Sequence, residues 1–116
     1  MFNRFFGKPE TAAAVVDVTE ARQRLDNREA MMIDVREPDE WAAGHVAGAK
    51  HIPLGDLPTR LEEVPRDQAV LLFCRSGNRS GKATALLQAQ GYDQVANVEG
   101  GIIAWQSAGL PVTPGR

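Results

Sequence analysis

The chain has 116 residues, 43% hydrophobic and 24% charged, with 13 basic against 15 acidic side chains and a formal charge of −2. That size and balance fit one globular domain with a single core, and they exclude a two-domain protein, global disorder, a membrane span and broad electrostatic binding of nucleic acid. The lone cysteine, Cys74, excludes an internal disulfide and a multi-cysteine zinc site.

Residues 1–13 read as an N-terminal tail, 14–113 as the folded domain and 114–116 as a C-terminal tail. The tail carries Phe2, Phe5 and Phe6, but Gly7, Lys8, Pro9 and Glu10 interrupt the apolar stretch too early for a secretory leader, so a cytoplasmic address is expected. The three phenylalanines, at i, i+3 and i+4, read as a frayed or self-docking end rather than a membrane contact. From Ala14 onward, short apolar runs alternate with helix-patterned segments, the signature of an α/β domain with a mainly parallel sheet. Strands are predicted over Val15–Val18, Met31–Val35, Lys50–Ile52, Val70–Phe73 and Gln94–Val98. Thr19 is expected to cap a helix running toward Leu25, Pro38 to open a short one through Trp41, and Asp56–Glu63 to form another with Pro58 in its first turn. A longer helix begins near Asn78 or Arg79, carries Ala83, Leu86 and Leu87 on one face and stops at Gly91. The last, Ile102–Ser107, ends at Gly109 before Pro111. Ala69–Phe73 is continuously apolar rather than alternating, which places its strand at the centre of the sheet with helices on both faces.

In open α/β sheets the ligand site lies just beyond the carboxyl ends of the strands. Here that place holds Cys74, followed by Arg75, Ser76, Gly77, Asn78, Arg79 and Ser80. Backbone N–H groups around Gly77 and Asn78 can curl into an anion-binding nest, and the N-terminus of the following helix adds free donors and a positive dipole end. Arg75, Arg79 and Lys82 give residues 74–82 a charge of +3 with no acid, against −5 for the rest of the chain. A thiol at the mouth of such a ring has a lowered pKa and acts as a nucleophile without a separate base. An inert buried cysteine is the bland alternative. It fits a mid-strand position better than one that ends a strand at a basic, glycine-containing loop.

Asp34-Val35-Arg36-Glu37, Glu40-Trp41, Gly44-His45-Val46-Ala47-Gly48-Ala49, Ile52-Pro53, the Cys74 loop, Glu99-Gly100-Gly101, Trp105 and Gly109-Leu110-Pro111 follow one another in an order and spacing that resembles a single-domain rhodanese from about Val15 to Val112. The resemblance implies a rhodanese-like fold, a five-stranded parallel sheet flanked by helices, and a Cys74 that carries sulfane sulfur as a persulfide. It implies that backbone N–H groups from Arg75 to Ser80 hold that persulfide or the substrate anion. The activity implied is a sulfurtransferase that takes sulfur from thiosulfate or a related small anionic donor and passes it to an external thiol, cyanide or protein acceptor. No cofactor is called for. An alternative from another class is a non-catalytic sulfur carrier or interaction module using the same loop. Phosphatase or arsenate reductase chemistry is disfavoured, because related phosphatases set their arginine one position further from the cysteine than Arg79 stands from Cys74. With no second cysteine to form a resolving disulfide, any sulfur accepted must leave to an outside partner.

The remaining candidates receive structural readings. Asp34 and Arg36 lie near the carboxyl edge of the sheet and read as an ion pair or loop anchor, with Arg36 a candidate outer contributor to the positive field. His45 and His51, with Cys74, are too few and too separated for a metal site, and none is expected. His45 is expected to pack and hydrogen-bond beneath the loop before the next strand; Trp41 and Trp105 are read as core or pocket-wall residues. Gly81-Lys82 fails as a phosphate loop because Ser76 and Ala83 stand where glycine and a hydroxyl are needed. Ser80 fails as a nucleophile elbow because Asn78 replaces the upstream glycine. Gly100-Gly101 reads as a tight strand-to-helix turn.

Overall fold

Ala69-Val70-Leu71-Leu72-Phe73 is buried along its whole length in the computed structural model, which describes residues 14–115. The elements in chain order are β1 (Val15–Val16), α1 (Val18–Asp26), β2 (Ala30–Asp34), α2 (Pro38–Ala43), β3 (Lys50–His51), two 3₁₀ turns (Leu54–Thr59 and Leu61–Glu63), β4 (Ala69–Phe73), α3 (Asn78–Ala89), β5 (Val95–Val98) and α4 (Gly101–Ser107). The five strands form one parallel sheet in the order β1-β5-β4-β2-β3, so the wholly apolar strand is central, as its composition requires. The Phe2, Phe5 and Phe6 reading lies outside the described residues. No helix among the described residues is long and apolar enough to cross a membrane.

Strand alternation divides the core into two layers. Val70, Leu72 and Cys74 join Ala83 and Leu87 of α3, with Leu57, Val64 and Tyr92, on one face. Leu71 and Phe73 join Val18 and Ala21 of α1 and Ile102 and Trp105 of α4 on the other. On β5, Val95 belongs to the first layer and Ala96 and Val98 to the second, so Asn97 shares the α3 face with Cys74. The site takes shape from this parity. The one-to-one register of β2 on β4, from Ala30 opposite Ala69 to Asp34 opposite Phe73, brings the carboxyl ends of both strands to the same edge.

Two local expectations are corrected. α1 is capped by Asp17, whose extended backbone lets its carboxylate accept from the Glu20 N–H at 2.8 Å; Thr19 lies inside the first turn. The Asp56–Glu63 segment is not an α-helix but lies in two 3₁₀ turns, the first closed by Arg60 N–H to the Leu57 carbonyl and the second by Val64 N–H to the Leu61 carbonyl. Pro58 has no N–H to offer an α-helical ladder, and Arg60 breaks the run.

Candidate active site

The polypeptide leaves β4 at Phe73 and turns within four residues into α3. The turn depends on Gly77, which sits at φ +102° as the cap of α3; a Cβ there would also lie 3.3 Å from the Gly100 nitrogen. This conformation folds the loop around the Cys74 sulfur. Sγ accepts from the Gly77 N–H at 3.1 Å and from the Ser80 hydroxyl at 3.2 Å. Cys74 is 1% exposed. Burial pushes its thiol pKa up, but the Ser80 hydroxyl and the amides of Ser80, Gly77 and Ser76 outweigh that and leave it below its ordinary value. The cysteine is therefore buried, as its type favours, yet its sulfur accepts hydrogen bonds that favour the charged form over the neutral one.

The outer side of the loop is held by α4. Ile102 N–H donates to the Cys74 carbonyl at 2.9 Å and Ile103 N–H to the Arg75 carbonyl at 3.2 Å. Gly101 makes this possible: at φ +54°, a Cβ would overlap the Cys74 carbonyl oxygen and stand 2.5 Å from that of Arg75. With its carbonyls drawn outward to α4, the loop turns N–H groups inward to the sulfur. The turn reading of Gly100-Gly101 describes their backbone and misses this role. Its signal was topological, because loops at the carboxyl ends of adjacent strands meet.

Arg79 is not the free cation that the local +3 suggests. Its guanidinium grips the Glu40 carboxylate with both arms, Nη1 to Oε1 at 2.7 Å and Nη2 to Oε2 at 2.9 Å. Oε1 also accepts from the Glu37 N–H at 2.9 Å, which closes the first turn of α2. The local +3 counted along the chain thus contains an acid delivered from 39 residues away. Arg75 is exposed and forms no ion pair among the described residues; Ser76 and Asn78 are not buried either. Within the loop it is Gly77 and Ser80 that touch the sulfur.

Asp34 and Arg36 form the expected anchor. Both are buried, with Arg36 Nη2 on Asp34 Oδ2 at 2.8 Å and Nε on both carboxylate oxygens at 3.0 Å. Arg36 further donates to the carbonyls of Glu40, inside α2, and of Gly44, which caps it. Its charge is matched by Asp34, which removes the outer positive field proposed for it. His45 is buried, stacks on Trp41 and shares a hydrogen bond with the Trp41 carbonyl; His51 stacks on the same indole and bonds the Arg36 carbonyl. Trp105 is core, with Nε1–H on the Pro111 carbonyl at 2.8 Å.

The Arg79 guanidinium holds the Glu40 carboxyl down at about 2, against a smaller upward push from its partial burial. Because the folded value lies below the ordinary 4.5, the pair contributes stability above pH 4.5, and that contribution is lost as pH falls through about 2. Urea unfolding of wild type and Glu40→Gln should differ most near neutrality and converge toward pH 2. Parallel pH profiles would show that the pair contributes nothing measurable.

The fold and loop thus define an α/β domain with a hydrogen-bonded cysteine cradled at the carboxyl edge of its sheet. The sequence model of the rhodanese-like domain matches residues 17–108. The chain is 43% identical over 98 residues to a protein of Allochromatium vinosum named sulfurtransferase, covering 84% of this chain and 92% of that one. A rhodanese-related protein from Thermoplasma volcanium superposes with a TM-score of 0.77 at 29% identity, covering 86% of this chain and 97% of that one. A thiosulfate sulfurtransferase from Pseudomonas aeruginosa gives 0.81 at 29% identity, covering 89% of this chain but 20% of the longer protein. The chain belongs to the rhodanese-like domain family.

Proposed function

We propose that the chain is a sulfurtransferase that moves sulfane sulfur from thiosulfate or a related donor to an external thiophilic acceptor through a Cys74 persulfide. The observation that carries this reading is the focus of donors on one sulfur, Gly77 N–H at 3.1 Å and Ser80 O–H at 3.2 Å. In the first step the Cys74 thiolate attacks the outer sulfur of thiosulfate. A Sγ–S bond forms, the S–S bond of the donor breaks, and sulfite departs with the electron pair. In the second step the acceptor attacks the outer persulfide sulfur, the Sγ–S bond breaks, and its electron pair restores the thiolate. The loop amides and Ser80 hold negative charge in both states, which is the preorganised stabilisation that such transfers need. Asp34, Arg36 and Arg79 shape the site and stay outside the chemistry.

A carrier reading, with slow turnover on small molecules, draws on one observation. Arg79 is committed to Glu40, which leaves Arg75 as the loop arginine without an ion pair among the described residues to attract a free dianion. Intact mass after incubation with thiosulfate tests the shared intermediate. A gain of one sulfur atom in wild type, absent in Cys74→Ser, is the expected result; no gain with any sulfane donor would overturn both readings. Steady-state turnover with cyanide as acceptor then separates enzyme from carrier.

A further inference from the structure

Ser80 is fully buried, and its hydroxyl faces two acceptors at once, the Cys74 sulfur at 3.2 Å and Asn97 Oδ1 at 2.6 Å. A hydroxyl carries one proton, so it serves one of them at a time. The orientation of the Asn97 amide follows from its other partner: Nδ2 donates to the Gly77 carbonyl at 3.1 Å, and a flipped amide would set oxygen against oxygen there. Oδ1 must therefore face Ser80. Two arrangements result. With a neutral thiol, the Cys74 S–H donates to Ser80 Oγ, and the Ser80 proton goes to Asn97. With an anionic sulfur, the thiol proton has left to solvent, the hydroxyl turns about its Cβ–Oγ bond to donate to Sγ, and Asn97 Oδ1 loses its donor.

We infer that Asn97 is a positioning residue that competes with the Cys74 sulfur for the single Ser80 proton and thereby sets how readily that sulfur becomes anionic. Asn97 opposes the charged form, although it sits in the cradle that stabilises it. Its second bond, to Gly77, is a modest one to lose, because the Gly77 carbonyl also accepts from the Gly81 N–H at 3.0 Å. Charged and titratable groups on the surrounding elements are Arg75, Arg79 and Lys82 on the loop and α3, Glu37 and Glu40 at α2, the Asp34–Arg36 pair after β2, His45, His51 and Glu99. All are left in place by substitutions at Asn97, so a difference between variants reads Asn97 itself.

The test is the pH dependence of Cys74 alkylation by iodoacetamide. Asn97→Leu, which keeps the branched shape and removes the acceptor, should lower the midpoint by about one pH unit, a roughly tenfold gain in thiolate at a pH below both midpoints, as for a hydrogen bond to a charged group. Asn97→Asp, which keeps and strengthens the acceptor, should raise it. In a Ser80→Ala background the Asn97→Leu effect should vanish. If Asn97 only holds the loop, Asn97→Leu will raise the midpoint as donors leave the sulfur, and that result, no shift, or a Leu effect that survives without Ser80 overturns the inference; the Asn97→Asp rise also contains the charge of the new carboxylate and does not decide by itself. Should Asn97→Leu fail to give folded protein by circular dichroism, Asn97→Ala carries the same expectation and the same criteria. Alkylation needs no sulfur donor, so this result is independent of the sulfurtransferase reading; only the consequence for sulfur transfer rests on that reading.

Discussion

Gly101→Ala is expected to cut the rate at which Cys74 accepts sulfur from thiosulfate by at least about 100-fold, the scale of losing preorganised donors around a developing anion. The added methyl has nowhere to go. It would overlap the carbonyl oxygen of Cys74 and crowd that of Arg75, both rigid backbone, at a φ of +54° that already disfavours a side chain. Relief requires α4 to withdraw, which releases the Ile102 and Ile103 bonds to those carbonyls and lets the loop amides turn away from Sγ. Gly100→Ala is the matched control. Its backbone is equally strained at φ +83°, but its Cβ would meet the Ala104 methyl at 2.5 Å inside α4 itself. It should lower stability while sparing the sulfur more than Gly101→Ala does. Mass-resolved loading kinetics decide the matter, and a Gly101→Ala rate within about threefold of wild type would sink the claim that α4 aims the loop.

Asp34→Ala is expected to destabilise the fold by about 3–5 kcal/mol, because it leaves the Arg36 guanidinium buried without its counter-charge. That is a large share of the about 5–15 kcal/mol that holds a typical domain together. Urea unfolding measures it directly. Replacing both partners by apolar residues, Asp34→Leu with Arg36→Met, should recover part of the loss, since no buried charge remains. Recovery stays incomplete, because the Glu40 and Gly44 carbonyls lose the donor that Arg36 supplied. A loss below about 1 kcal/mol in Asp34→Ala would mean that water reaches Arg36 and that the anchor is not the closed pair described.

Much of this molecule was legible along the chain. The unbroken apolar run Ala69–Phe73 specified a central strand, the change of period from strand to helix located Cys74 at the carboxyl edge, and Gly77 marked the turn that curls the loop. Where local reading failed, a nearby residue decided the outcome. Asp17 rather than Thr19 reaches the free N–H groups that open α1, and Pro58 denies the segment after Asp56 an α-helical ladder. These are contests within a few residues, and side-chain chemistry resolves them.

The electrostatics of the site were not legible, for a reason of distance. A charge count over residues 74–82 registers three cations, but Arg79 finds Glu40 across 39 residues and the island loses a charge. Ser80 meets Asn97 across 17 residues, and Gly101 meets the Cys74 carbonyl through the adjacency of β4 and β5. Residue type and local pattern by themselves determined the elements, the cysteine and its loop. Which groups share the cysteine's proton, charge and backbone was decided by strand order and parity, because parallel pairing brings to one sheet edge loops whose residues have no relation along the chain.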